Sequence, residues 1–264
     1  MQEEEKAEAT VDRYVSDVML FADWLLGREV DKAEVVRYKE ELCTKYAPAS
    51  INVIVSSLNR FFDFCGWHEL RLKRIRQQRP IFASTERELT KADYQRLLMA
   101  AKNRNNQRLS LVMQTICSTG IRVSELRYIT VEAVQTGAAV VNCKGKRRQV
   151  FLTPQLCRML KQYLRDNHIK KGSVFVTKNG NPLNRSNIWA DMKKLCETAG
   201  VASEKVFPHN LRHLFARTYY SKEKDIVRLA DVLGHSSVNT TRIYTMESGE
   251  IHRQQLQRLG LLRC

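Results

Sequence analysis

The sequence predicts a mainly α-helical protein in two parts. A small N-terminal helical bundle precedes a larger mixed α/β domain with a small three-stranded antiparallel sheet. Three observations carry this. Apolar residues recur at helical spacing through most of the chain, as with Tyr14, Val18, Phe21 and Leu25. β-type runs are confined to 138–143 (AAVVNC), 148–153 (RQVFLT) and 173–177 (SVFVT). The charge balance also breaks near residue 80. Residues 1–80 carry 13 Lys+Arg against 14 Asp+Glu, which leaves 31 against 14 for residues 81–264. The C-terminal part thus holds the whole net charge of +16, and a polyanion is its natural partner.

The 264 residues suffice for one large domain or two small ones, and a hydrophobic content of 43% permits real cores. No apolar run approaches the roughly 18 residues of a membrane span. The acidic, polar start (MQEEEKAEAT) fits neither a secretory signal nor an Arg-rich transit peptide, so a cytoplasmic location is expected. Seven cysteines are scattered without a CxxC pair, which favours reduced thiols over disulfides or a zinc knuckle.

Taken in order, residues 9–26 form a first amphipathic helix that Gly27 ends. A second helix spans 31–45 with its charges outward. Ala47-Pro48-Ala49-Ser50 reads as a break and an N-cap before a helix at 51–65 that buries Ile51, Ile54, Val55, Leu58, Phe61 and Phe62. The run 71–79 (RLKRIRQQR) concentrates Arg71, Lys73, Arg74, Arg76 and Arg79, and Pro80 follows. These features divide the chain into a helical domain at 1–78, a linker at 79–88 and a C-terminal domain at 89–264. Thr90 caps a helix at 91–102, and another follows at 107–118. Gly120 breaks the chain before a short helix at 121–126. Lys144-Gly145-Lys146-Arg147 reads as the turn of a β-hairpin. Thr153-Pro154 opens a helix to about 166, the turn Asn179-Gly180-Asn181-Pro182 follows the third strand, and a helix spans 185–198. Residues 249–259 read as a last amphipathic helix bearing Ile251, Leu256 and Leu259.

Three motifs carry chemistry. Thr119-Gly120-Ile121-Arg122-Val123-Ser124-Glu125-Leu126 offers an arginine with an acid three residues on. His209-Asn210-Leu211-Arg212-His213 places His209 and Arg212 on one helical face. Leu233-Gly234-His235 follows, and Tyr244 comes nine residues after that histidine. Together they suit the holding of a phosphate while a phenol oxygen attacks it.

These spacings resemble the tyrosine recombinases, the phage integrases and Xer-type site-specific recombinases. The resemblance is strong over 89–246 and looser over 9–70, where the bundle is similar to the family's SAM-like core-binding domain. It implies that Arg122 and Arg212 bind the scissile phosphate, that His235 bonds a non-bridging oxygen, and that His209 accepts the phenol proton or donates to the phosphate. Tyr244 is then the nucleophile, giving a 3′-phosphotyrosine and a free 5′-hydroxyl. The mobile hairpin lysine of the family corresponds to Lys144 or, alternatively, Lys146, as general acid. Glu125 and His213 are supporting residues. Arg71, Lys73, Arg74, Arg76, Arg79, Lys146, Arg147 and Arg242 are expected to contact duplex DNA. The resemblance further implies a tetramer on DNA, joined through the C-terminal helix, and no need for ATP or metal.

Arginine suits the phosphate because its planar donors are bidentate and never lose their charge at physiological pH. Three other readings compete. His209 and His213 sit i, i+4 as some zinc ligands do, but no HExxH motif occurs. A DNA-binding protein that has lost catalysis is the main alternative, and a tyrosine-type topoisomerase shares the chemistry.

Overall fold

The computed structural model describes residues 8–77, 87–143, 146–244 and 257–259. The chain divides into two compact units, Met1–Pro80 and Ile81–Cys264. Most of the expected linker and of the expected C-terminal helix lies outside the described residues.

In the first unit, α1 (Glu8–Leu25), α2 (Lys32–Lys45) and α3 (Pro48–Cys65) enclose an apolar core. Phe21, Val35, Ile51, Val55, Leu58 and Phe62 are its most buried members. The Asp31 carboxylate caps α2 by accepting from the Glu34 amide. Helix α3 starts three residues earlier than expected. Pro48 occupies its first turn, where a missing N–H costs nothing, and Ser50 lies inside the helix rather than capping it.

The basic run after α3 is an ordered extended strap. Asn59 donates to the Leu72 carbonyl (2.9 Å) and accepts from the Leu72 amide (2.7 Å). Two turns earlier on the same face, Asn52 does the same for Ile75 at 2.9 and 2.8 Å. Two amides seven residues apart on α3 thus supply the backbone partners that a neighbouring strand would. Leu72 turns inward, whereas Arg71, Lys73, Arg74 and Arg76 are exposed.

In the second unit, α4 (Lys91–Asn103) begins with a reciprocal Thr90–Asp93 capping box. It packs with α5 (Gln107–Thr119), α6 (Val131–Thr136) and α7 (Pro154–Asp166) round a core that includes Leu97, Val112, Ile116, Leu126 and Leu160. Between α5 and α6 the expected short helix is of the 3-10 type and spans Val123–Tyr128.

Strands β1 (Ala138–Cys143) and β2 (Lys146–Phe151) pair antiparallel, with Val141 opposite Arg148 and Asn142 opposite Arg147. Arg147 therefore belongs to a strand and not to a turn. Among the described residues the sheet has two strands, not three. The run at 173–177 makes only isolated bridges, because its backbone bonds elsewhere. The Val174 amide donates to Ile129 O, and Phe175 O accepts from Leu183 after the 179–182 turn.

The helix expected at 185–198 is split into α8 (Arg185–Lys193) and α9 (Cys196–Ala199). Helices α10 (Pro208–Glu223), α11 (Ile226–Leu233) and the short α12 (Val238–Thr241) follow, and a 3-10 turn at Arg242–Tyr244 continues from α12.

Candidate active site

Four segments distant in sequence meet in the second unit: the turn after α5, strand β2, helix α10 and the loop between α11 and α12. Glycines shape two of these turns. Gly120 ends α5 with φ +65°, and a Cβ there would sit 2.5 Å from the Phe215 ring. Gly234 ends α11 at the same φ, and a Cβ there would lie 2.4 Å from Arg148 Cδ. Both carbonyls face arginines, so the glycines bring backbone acceptors close to the site.

Arg212, on α10, is 2% exposed. Its Nη1 donates to Gly120 O, and its Nη2 donates to Leu233 O at 2.7 Å and contacts His235 Nε2 at 3.0 Å. Burial and the charge of Arg122 lower its pKa to about 10, a shift that the facing Tyr244 phenol opposes. It stays protonated at neutral pH. Arginine has no acceptor, so His235 Nε2 must accept and Nδ1 must carry the ring proton. Nδ1 lies 2.7 Å from the Thr241 hydroxyl, its acceptor. Burial, followed by the charges of Arg212, Arg122 and Arg148, pushes the His235 pKa down to about 4. The ring is therefore neutral. In this DNA-free state its Nε2 is occupied as an acceptor from Arg212.

Arg122 reaches the same loop. Its Nη2 donates to Gly234 O at 3.3 Å and its Nη1 to Glu125 Oε1 at 2.9 Å. Glu125 is 2% exposed and also accepts from the Arg122 amide and, at 2.6 Å, from Arg148 Nη2. Burial opposes its charge, but these donors outweigh it and hold its pKa below the usual carboxylate range. Arg148 also donates to Val232 O at 2.9 Å.

Tyr244 is 5% exposed and packs with Ala216, Leu229 and Leu233. Its ring stands edge-on to His213, with centroids 4.8 Å apart, and stacks with His235 at 6.0 Å. His213 lies between Tyr244 and His209, whose ring is 4.5 Å away. Burial drives the His213 pKa down to about 4, and its buried Nε2 has no hydrogen-bond partner among the described residues. His209 is exposed, and burial of its inner face with the charges of Arg212, Arg185 and Arg122 lowers its pKa.

A cleft of about 700 Å³ opens over this network, lined by Arg122, Glu125, Arg147, Arg148, Gly234 and His235 among others. Arg122, Arg212, His235 and Tyr244 are thus brought together, with Glu125 behind and His209 and His213 alongside. Arg147 lines the cleft and Arg242 is exposed beside the tyrosine. Lys144 and Arg79 lie outside the described residues, and of Lys146 only the backbone, in β2, is described.

Three participants had not been singled out from the sequence. Arg185 starts α8 beside His209. Thr241, fully buried, orients His235. Arg148 was detectable, since it alternates with Val150 and Leu152, which marks it as inward-facing. Among the described residues no group of three or more His, Cys, Asp or Glu is placed to hold a metal ion. No described helix is long and apolar enough to cross a membrane.

Residues 87–250 match the Phage integrase family. Among curated proteins, tyrosine recombinase XerA of Pyrococcus furiosus is 28% identical over 98% of this chain and 91% of its own length. Tyrosine recombinase XerH of Campylobacter jejuni is 35% identical, over 60% of this chain and 47% of its own length. Among solved structures, XerH bound to a palindromic difH substrate in a post-cleavage complex superposes with a TM-score of 0.73. It shares 20% identity, with 94% of this chain and 78% of that one covered. A lambda integrase (75-356) dimer bound to a COC′ core site gives the same TM-score at 17% identity, covering 92% and 90%.

Proposed function

The chain belongs to the phage integrase family and is a tyrosine-type site-specific recombinase; from that premise we propose which of its residues cut and rejoin DNA. The observation that carries the assignment is the convergence of Arg122, Arg212, His235 and Tyr244 on the loop 233–235. The scissile phosphate of a duplex recombination site sits between the two guanidinium groups. Three of the five N–H groups of Arg212 are committed to the protein, which fixes the plane of the fork before DNA arrives.

The Tyr244 oxygen attacks phosphorus and its proton passes to the His213–His209 pair, with His209 as its final acceptor. The P–O5′ bond breaks, and the departing 5′-oxygen takes a proton from the hairpin lysine, Lys144 or Lys146. The product is a 3′-phosphotyrosine and a free 5′-hydroxyl. A second 5′-hydroxyl reverses the step on a new strand, so the phosphoester count is conserved throughout. His235 donates to a non-bridging oxygen once a bound phosphate draws the Arg212 N–H away and the ring proton moves from Nδ1 to Nε2, the Thr241 hydroxyl then donating to Nδ1. Arg71, Lys73, Arg74, Arg76, Arg79, Lys146, Arg147 and Arg242 hold the flanking backbone. Exchange between two duplexes requires four chains, and residues 249–259 join neighbours in that tetramer. Integration or excision of a mobile element and Xer-like resolution both fit this chemistry.

The test begins with a site selected from random-sequence duplexes by the full chain. A nick placed just 3′ of the cleavage point lets the short fragment that carries the new 5′-hydroxyl escape. Wild type should then accumulate a covalent protein–DNA adduct, while Tyr244→Phe binds equally well and forms none. An adduct that persists in Tyr244→Phe would remove the assigned nucleophile. Binding without any adduct in wild type would favour a chain that has lost catalysis.

A further inference from the structure

We propose that Arg148 is a positioning residue for strand transfer, tying strand β2 to the two loops that carry Arg122 and His235. This role presupposes the chemistry proposed above and extends it to a residue outside the catalytic set.

The geometry has three parts. Arg148 Nη2 donates to Glu125 Oε2 at 2.6 Å, on the carboxylate whose other oxygen holds Arg122 Nη1. Its Nη1 donates to Val232 O at 2.9 Å, two residues before Gly234. Its stem lies where a side chain at Gly234 would stand, 2.4 Å from that Cβ position. One side chain therefore touches the acid that aims Arg122 and the backbone that presents Gly234 O and His235.

Two features distinguish this from an incidental surface ion pair. The side chains are 14% and 2% exposed, so water does not screen the pair as it does at a surface. The carboxylate is also shared. Without Arg148, Glu125 Oε2 would keep only the Arg122 amide, and the buried charge would fall on Arg122 alone. Arg122 would then be drawn towards Glu125 and away from the phosphate, and the released loop would no longer hold His235 against Arg212. A lysine would retain the ion pair but could not bridge the carboxylate and the carbonyl with one planar group. Strand parity supports the same distinction: Arg148 lies opposite fully buried Val141, whereas its neighbour Arg147 lies opposite exposed Asn142.

The test compares the full chain with Arg148→Met and Arg148→Lys on the selected, nicked duplex. Arg148→Met should lower single-turnover adduct formation at saturating protein about a hundredfold, the usual cost of a small misplacement. Affinity for the duplex should stay near wild type, and Arg148→Lys should recover part of the rate. In the DNA-free protein, imidazole NMR should show His235 losing its single Nδ1–H tautomer and titrating closer to an ordinary histidine. A wild-type adduct rate in Arg148→Met would overturn the proposal. So would equal losses of affinity and rate with an unchanged His235 tautomer, since these would mark a phosphate contact. Should Arg148→Met fail to fold, Arg148→Lys decides alone: the proposal requires a slower rate at saturation with affinity retained. If wild type forms no adduct, the strand-transfer reading fails, and the NMR of the DNA-free protein still decides whether Arg148 positions the loop.

Discussion

Arg212 is a cation that cannot be exchanged for another of the same charge. Its fork meets Gly120 O, Leu233 O and His235 Nε2 at once, from a position 2% exposed. Lysine would keep the charge and leave carbonyls without donors in a buried site. Arg212→Lys should therefore cost about 2–3 kcal/mol of stability from the unpaired groups. It should also slow adduct formation by two to three orders of magnitude, about what loss of one transition-state donor costs. Urea unfolding and single-turnover trapping check the two parts separately. The histidines make a second prediction at this scale. His213 and His235 have pKa values pushed down to about 4 by burial, against about 6.5 in an unfolded chain. Between these values the unfolded state binds more protons, so stability is full above pH 6.5 and falls as pH drops towards 4. His213, the more buried of the two, carries most of this loss, and solvent screening trims the part that comes from half-buried His235. Urea midpoints at pH 7.5, 6 and 5 should fall in that order. A flat profile that is the same in His213→Asn would show that neither ring is held neutral by the fold.

At the scale of elements, the strap after α3 couples a packing feature to the expected DNA contacts. Asn52 and Asn59 fix the backbone of 72 and 75, and the four exposed cations of the strap are held in place by that pairing. Asn59→Ala removes two hydrogen bonds and should destabilise the first unit by about 2 kcal/mol. Adding Asn52→Ala should cost less than it does alone, because a strap already loosened has less to lose. Additive losses would mean that the two amides act independently. The strap also shows what the sequence conceals. Its composition reads as a charged run, and nothing local reveals that amides seven residues apart on a preceding helix pair with it. Capping chemistry was far easier to read: Thr90, Thr153 and Pro154 mark helix starts by backbone bonds made within a few residues. Pro48 did so too, but Ser50 competed with it as a cap. The 173–177 run failed as a third strand because partner choice is a tertiary matter, settled here by Ile129 and Leu183. The site motifs were legible because their spacings are fixed by helices and glycine turns. Thr241 was not, since its role depends on a histidine six residues away across a loop.

For the whole molecule, charge is distributed unequally between the two units, and this has a measurable consequence. The first 80 residues are close to neutral, while the rest carry 31 Lys+Arg against 14 Asp+Glu. Four of these cations are engaged internally: Arg122, Arg148 and Arg217 pair with Glu125 or Glu88, and Arg212 donates to backbone carbonyls. Binding strength should therefore follow the exposed cations and not the net charge. Neutralising one cation that pairs with a phosphate should reduce the slope of log affinity against log salt by about one, with similar weakening on every sequence. Arg147→Gln and Arg242→Gln should each show this on both the selected and a random-sequence duplex. Arg74→Gln plus Arg76→Gln should lower the slope by about two if the strap grips the backbone. Arg148→Lys, which retains the charge in a buried setting, should leave the slope unchanged while slowing the covalent step. Titrations of the full chain from about 50 to 200 mM salt separate these outcomes. If neutralising the strap leaves the slope intact, its ordered display of cations serves the fold and not the DNA, and the second unit alone carries the electrostatic grip.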